Sequence, residues 1–99
     1  MDREYNDYLQ DILKSMNMSR KFIKGFNLDN FLTDEKTQYA IIRCLEVIGE
    51  ATKRLPDSLR EKNPNIPWKA MAGMRDRLIH GYDIADPENM LSLASFNRL

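Results

Sequence analysis

The chain has 99 residues, of which 42% are hydrophobic and 30% are charged, a composition typical of one small globular domain. Fifteen basic and fifteen acidic residues balance, so no overall field indicates a nucleic acid or a membrane surface as partner. Cys44 is the only cysteine, which excludes an intrachain disulfide. The sequence therefore favours a single domain over residues 1–99 in a reducing cytoplasm.

Metal sites and membrane segments find no support in the sequence. One histidine and one cysteine argue against a zinc site within one chain. No apolar run approaches the roughly 18 residues of a membrane span, and the charged start MDREYNDYLQ does not resemble a signal peptide. We expect no cofactor and no membrane association.

The first predicted element is a long amphipathic helix from Asp2 to Lys24, ended by Gly25 in a left-handed cap. Its apolar side chains fall within about 40° of each other on a helical projection. They are Tyr5, Leu9, Ile12, Met16 and Ile23, with Tyr8, Leu13 and Phe26 widening the stripe. This face is expected to pack on the core.

A second long helix is predicted after a short apolar turn at Leu28–Phe31 that plugs the end of the bundle. Thr33 is its expected N-cap, and Pro56 ends it after about Leu55. Its broad apolar face, which we expect to be covered on both sides, consists of Ile41, Cys44, Leu45, Ile48, Ala51 and Leu55.

Three residues inside this helix carry further expectations. Gly49 costs about 1 kcal/mol relative to alanine, which suggests close approach by another helix. Glu46 and Glu50 flank it and are candidate partners for Arg75 or Arg77, although a solvated face explains both glutamates equally simply.

The remaining chain reads as a loop, a helix and a final helix. Residues 56–66 form a loop with one helical turn at Asp57–Lys62, and Pro67 takes the first position of a helix that runs from Trp68 to Ile79. Asp86-Pro87-Glu88 starts the last helix, which the chain end cuts short at Leu99. No segment alternates with period two, so the fold class is all-α, with four or five helices in a bundle.

The stretch MRDRLIHGY holds the chain's most unusual chemistry. Arg75 falls within the apolar sector of its helix, and a buried guanidinium needs an anion or a hydrogen-bonding partner. Asp76 and His80 are four residues apart and can touch. From Lys53 to Tyr82 there are seven basic and three acidic residues, a local excess that favours a phosphate ligand. A structural arginine–carboxylate pair with a solvent-facing histidine is the simpler alternative.

Other chemistries lack candidates. Cys44 lies on a buried helix face, no carboxylate pair marks a pocket, and no glycine-rich nucleotide-binding loop occurs. Histidine and arginine acting on a phosphodiester remain, with His80 moving protons and Arg75 holding the phosphate. With one histidine per chain, two-proton chemistry would need a second copy, so a symmetric dimer is attractive.

The residues Arg75, His80 and Tyr82 together form an Arg-x4-His-x-Tyr motif that resembles that of the HepT-like toxins of the HEPN superfamily. YLQDIL, FIKGFNLDNFLTD, IIRCLEVIGEATKRLP and NPNIPWKAMAGMRDRLIHGY resemble the family in its usual order, so the likeness covers about residues 2–87. It implies an all-α HEPN bundle, a homodimer with both motifs at the interface, and metal-independent RNA cleavage.

The resemblance also implies roles for individual residues. Arg75 would bind the scissile phosphate, His80 would move protons for attack by the 2′-hydroxyl, and Asp76 would orient His80 or the arginines. Arg77 lies outside the motif and adds at most a phosphate contact. The implied partner is a minimal nucleotidyltransferase (MNT) antitoxin, which in this family can transfer AMP to the motif tyrosine, here Tyr82.

The final stretch departs from the family pattern. Relatives usually end in a full helix with a tryptophan and a Leu-Pro-type segment, whereas MLSLASFNRL is shorter and different. Two functions therefore stay open. One is a toxin ribonuclease, and the other is a non-catalytic HEPN binding module that docks a minimal nucleotidyltransferase.

Overall fold

The computed structural model of the chain describes residues 5–73. This part contains five helices and no strand, which confirms the all-α fold class. The helices are α1 (Tyr5–Ile23), α2 (Leu28–Leu32), α3 (Glu35–Lys53), α4 (Asp57–Lys62) and α5 (Trp68–Ala72). None of them is both long enough and apolar enough to cross a membrane.

The core lies along α3, which packs against α1, α2 and α5. All six residues of the predicted apolar face of α3 are buried, with Ile41 and Ile48 completely inaccessible. Phe31 of α2 closes one end of this core. Its ring packs edge to face against the ring of Phe26, with the two ring centroids 6.5 Å apart. Met71 of α5 joins the core further along. The prediction of a helix covered on more than one side is confirmed.

The buried face of α1 differs from the predicted one. Ile12 is buried as expected, but Tyr5 and Leu13 are more than half exposed, while Ser15 and Ser19 are buried. At 100° per residue the three buried residues centre about 60° from the predicted stripe, while Leu9, Met16 and Ile23 of that stripe still pack against the core as predicted. Short serine side chains let α1 approach α3 closely, and a pattern that counts only apolar residues overlooks them.

The ends of the first three helices follow local chemistry. Gly25 has φ = 84°, the left-handed conformation predicted for the cap after α1. The predicted turn at Leu28–Phe31 is instead the helix α2. It forms because the Asn27 side chain accepts a hydrogen bond from the Asn30 backbone N–H and the Asn30 side chain accepts one from the Asn27 N–H.

The predicted N-cap of α3 was wrong by one residue. Asp34 caps the helix, because its carboxylate accepts a hydrogen bond from the Thr37 backbone N–H at 3.0 Å. Thr33 instead ends α2, where its hydroxyl donates to the Asn30 carbonyl. Both residues suit a cap, and the helical turn before Thr33 decides between them.

The region after Pro56 matches the predicted outline. The helical turn Asp57–Lys62 is present as α4, and no residue of it is buried. Pro67 occupies the N-cap of α5 rather than its first helical position, one residue from the prediction. The described chain ends at Gly73, so the predicted extension of this helix to Ile79 and the last helix lie outside it.

Candidate functional site

The motif residues predicted to carry function all follow Gly73. Arg75, Asp76, Arg77, His80 and Tyr82 lie outside the described residues, so their mutual geometry stays a prediction. The described chain ends two residues before Arg75, and it shows how the polypeptide is held as it approaches the motif.

A compact hydrogen-bonded connection joins α4 to α5. The Asn63 carbonyl accepts hydrogen bonds from the Trp68 indole Nε1–H at 2.9 Å and from the Ile66 backbone N–H at 3.2 Å. The Asn63 side-chain amide donates to the Leu59 carbonyl at 2.9 Å. Asn63 thereby ties the end of α4 to the start of α5. This loop needs no side-chain burial of its own to hold its path.

Met71 anchors α5 to the core and Trp68 packs beside it. Met71 is only 2% exposed, and the half-buried Trp68 packs against the same core cluster that α3 organises. Because α5 is one turn and a half long, these two contacts orient nearly all of it. The lead-in to the motif is therefore fixed to α3.

An open groove lies along α5 and includes Gly73, the last described residue. We call it the Trp68 groove; it has a volume of about 720 Å³ and is lined by Ile66, Pro67, Trp68, Lys69, Ala70 and Gly73. Its wall is mostly apolar, and Lys69 is its one charged lining residue among those described. Such a surface combines an apolar contact area with a single cation.

A second apolar groove lies between α1 and the start of α5. Leu9, Leu13 and Met16 line it from α1, opposite Ile66 and Trp68, and its volume is about 440 Å³. Leu9 and Met16 also pack against the core cluster, whereas Leu13 is more than half exposed. The two grooves adjoin, because Ile66, Pro67 and Trp68 line both of them.

The opposite flank of α1 and α3 carries a polar groove of about 370 Å³. Glu46 and Glu50 line it, and Glu50 accepts a hydrogen bond from Arg54 at 3.3 Å. Both glutamates are partly buried, and the Glu50 side chain is still 41% exposed, which agrees with the solvated-face alternative. Their predicted pairing with Arg75 or Arg77 concerns residues outside the described chain.

Positive charge dominates the approach to the motif. Residues 53–73 include five basic side chains and two acidic ones, an excess of three. Arg60 pairs with Asp57 at 2.6 Å and Arg54 pairs with Glu50, whereas neither Lys62 nor Lys69 has an ion pair in the part of the chain that the structure describes. The two lysines remain available to an anionic ligand.

Cys44 is placed as the sequence predicts. It is buried within the face of α3, and desolvation by this burial raises the pKa of its thiol. A nucleophilic cysteine needs an accessible thiolate, which burial disfavours. Cys44 is a packing residue.

Two residues that precede the motif have roles that the sequence pattern did not predict. Asn63 was assigned to a loop without a role, although an asparagine before a proline is a common turn signal. Lys69 was counted only as part of a charge excess. Nothing in the sequence indicated that Lys69 would share a groove with Trp68, because the groove depends on how residues 63–68 turn.

Comparison with known proteins shows which family this all-α chain resembles. The family described as "Ribonuclease HepT-like" matches residues 12–95. The protein named "Probable ribonuclease HepT" of Thermococcus cleftensis is 46% identical over 82 residues, which are 83% of this chain and 74% of the relative. "Putative RNase MJ0125" of Methanocaldococcus jannaschii is 49% identical over 80 residues, 81% of this chain and 69% of the relative.

A third relative extends the comparison to another genus. "Putative RNase TTE0752" of Caldanaerobacter subterraneus is 45% identical over 75 residues, which cover 76% of this chain and 67% of that protein. No solved structure gives a significant match. The chain belongs to the HepT-like ribonuclease family, which confirms the resemblance read from its motifs.

Proposed function

We propose that the chain is a metal-independent endoribonuclease, the cytoplasmic toxin of a HepT/MNT toxin–antitoxin pair. The observation that carries this proposal is the family match across residues 12–95 together with the intact Arg-x4-His-x-Tyr spacing of Arg75, His80 and Tyr82. The relatives' printed names, which describe ribonucleases, support RNA as the substrate.

The proposed reaction is a transesterification within RNA. The 2′-oxygen attacks the neighbouring phosphorus, the bond from phosphorus to the 5′-oxygen breaks, and a 2′,3′-cyclic phosphate remains. His80 takes the 2′-hydroxyl proton, and a proton reaches the departing 5′-oxygen. Arg75 binds the phosphate and offsets charge on its oxygens in the transition state. Asp76 orients His80, and Arg77 adds a phosphate contact.

The two proton transfers favour a homodimer. Because each chain has one histidine, the second copy's histidine supplies the second proton transfer when the two motifs face each other. Sedimentation at micromolar concentration tests this arrangement. A dimer is expected, and a compact monomer that still cleaves RNA would rule out the shared site.

RNA cleavage by the isolated protein is the decisive test. In the presence of a chelator, RNA should be cut to 2′,3′-cyclic phosphate ends and DNA should stay intact. His80→Ala and Arg75→Ala should each lower the rate by roughly 10²-fold or more, the usual scale for losing a general acid–base group or a charge-stabilising donor. Lys36→Gln, on the exposed start of α3, is the control and should leave the rate unchanged.

Two results would contradict the proposed mechanism. Cleavage that persists in His80→Ala, or that requires magnesium, would show that other groups do the chemistry. A protein that binds a minimal nucleotidyltransferase but leaves RNA intact would instead be the non-catalytic docking module, with Tyr82 as AMP acceptor.

We further propose that the antitoxin silences the site by transferring AMP from ATP to the Tyr82 hydroxyl, which displaces pyrophosphate from the α-phosphorus and loses its proton. The added phosphodiester would occupy Arg75 and Arg77 in cis, and the adenosine would obstruct the RNA. Tyr82→Phe should retain most ribonuclease activity yet escape silencing. Wild type and mutant are incubated with the nucleotidyltransferase and ATP, then intact mass and RNA cleavage are read together. Equal AMP mass on the mutant, or full activity of modified wild type, would contradict this regulation.

A further inference from the structure

We infer that the Trp68 groove binds one nucleotide of the single-stranded RNA substrate next to the cleaved linkage. The base rests against the apolar wall of Ile66, Pro67 and Trp68, and Lys69 contacts a backbone phosphate. This inference rests on the proposed ribonuclease function and adds substrate-binding residues outside the motif. It concerns binding and positioning, not proton transfer.

The wall of the groove suits a nucleobase. Ile66 is 38% exposed and Trp68 half-buried, so apolar surface remains open beside a volume of about 720 Å³. The Trp68 Nε1–H is already bonded to the Asn63 carbonyl at 2.9 Å, which holds the indole in one orientation. A held aromatic ring loses little freedom when a ligand packs on it. Aromatic surfaces of this kind hold the unstacked bases of single-stranded RNA.

The charge at the groove suits a phosphate. Lys69 is exposed, lines the groove, and has no ion pair in the described part of the chain. It also sits in a segment with an excess of three positive charges over residues 53–73. An unpaired lysine at an apolar wall matches a nucleotide, which joins an apolar base face to an anion.

The position of the groove links it to the predicted site. Gly73 lines its end and is two residues before Arg75, so their Cα atoms are at most about 7 Å apart along the chain. A phosphate held by Arg75 and a base in the groove can therefore belong to neighbouring nucleotides. The burial of Met71 anchors α5, and with it the described wall of the groove, to the core.

An apolar protein segment is the competing occupant of such a groove. The Trp68 groove is lined by Lys69 and lies in a segment with an excess of positive charge. The neighbouring groove between α1 and α5 has no charged lining residue among those described. A purely apolar partner would leave Lys69 without a counter-charge. The charge pattern favours RNA.

Trp68 provides a local signal because it is the only tryptophan of the chain. The test uses the full chain with His80→Ala, so that a single-stranded oligoribonucleotide stays uncut. RNA should quench Trp68 fluorescence and protect it from the collisional quencher acrylamide. Inorganic polyphosphate of matched charge should bind without giving that protection, since it has no base.

Lys69→Gln tests the phosphate contact in the same background. RNA binding should weaken several-fold, and the slope of log affinity against log salt should fall by about 0.7, the value for one phosphate contact on a single strand. Lys36→Gln removes the same charge from an exposed site on α3 and should change neither quantity. In active protein, Lys69→Gln should raise KM and leave kcat nearly unchanged.

The outcomes separate this inference from the proposed function. RNA that binds and is cleaved by active protein, but leaves Trp68 unprotected or binds Lys69→Gln unchanged, overturns the groove assignment alone. Protection by polyphosphate equal to that by RNA overturns the base contact. Protection by an apolar peptide with none by RNA identifies a protein groove instead. If the chain neither binds nor cleaves RNA, that result contradicts both the ribonuclease proposal and this inference.

Discussion

Two regions of the described chain are built on different principles. The first is the pair α1 and α3, two helices of 19 residues that supply most of the buried core residues. The second is the segment from Arg54 to Gly73, which contains two helices of six and five residues. Its two buried apolar side chains are Leu55, before α4, and Met71, in α5. Helices this short are not stable alone, so tertiary contacts and hydrogen bonds must hold them.

The difference separates stability from ligand binding. The long helices bury most of the apolar surface that stabilises the fold. The second region contributes few buried apolar side chains to the core. It keeps exposed lysines and a groove instead, directly before the motif. The first region should therefore be sensitive to changes in core volume, and the second to changes in hydrogen bonding and charge.

The largest decrease in the free energy of unfolding is expected for a substitution in α2, at the end of the core between α1 and α3. Phe31→Ala should lower the free energy of unfolding by about 3 to 5 kcal/mol, because a fully buried ring is removed and leaves a cavity. Equilibrium urea unfolding followed by circular dichroism measures the change. Leu32→Ala is the control in the same helix, since Leu32 is 49% exposed and should cost much less. Equal losses from both variants would show that Phe31 is not part of a packed core.

A smaller decrease in the free energy of unfolding is expected when a buried side chain between α1 and α3 is enlarged. Ser19 is completely buried, so Ser19→Leu should overpack the interface and cost about 1 to 3 kcal/mol. The neighbouring Met18 is 38% exposed, and Met18→Leu should be nearly neutral. A neutral Ser19→Leu would mean that the two long helices are not closely packed, which would remove the contrast between the regions.

In the second region the hydrogen bond from Trp68 should matter more than the volume around it. Trp68→Phe removes the Nε1–H donor to the Asn63 carbonyl and should cost about 1 kcal/mol, the net value of a typical hydrogen bond. The Asn63 carbonyl keeps its bond from the Ile66 N–H, so it is not left unsatisfied. Amide hydrogen exchange across residues 63–73 should accelerate in the variant. No change in exchange would show that other contacts hold α5.

The smallest effect is expected at the surface pair of α4. Arg60 and Asp57 approach to 2.6 Å, but Asp57 is 84% exposed, so solvent screens the pair. Arg60→Ala should cost about 0.5 kcal/mol or less, and 1 M salt should remove most of that difference. Lys62→Ala, which breaks no ion pair in the described part of the chain, should match it at high salt. A loss above about 1 kcal/mol would mean that α4 carries more of the stability than an exposed pair supplies.

Local patterns in the sequence determined most of the helical framework. The apolar period of α3 correctly named buried apolar residues of its core-facing side, because helical geometry decides which residues share a side, but it did not name the buried Thr52. Gly25 correctly marked the left-handed cap after α1, because its backbone freedom acts locally. The end of α3 at Lys53 comes two residues before the end predicted from Pro56. The family was also readable from the sequence, since its motif and flanking stretches are contiguous.

Only the tertiary structure decided which surfaces meet and what remains open. Ser15 and Ser19 became buried because α3 approaches α1 on that side, and a serine carries no local sign of being buried. The Trp68 groove exists because the Asn63 carbonyl receives both the Ile66 amide and the Trp68 indole, which turns the chain into α5. Such shapes depend on residues from several elements at once, whereas periodicity and capping depend on neighbours along the chain.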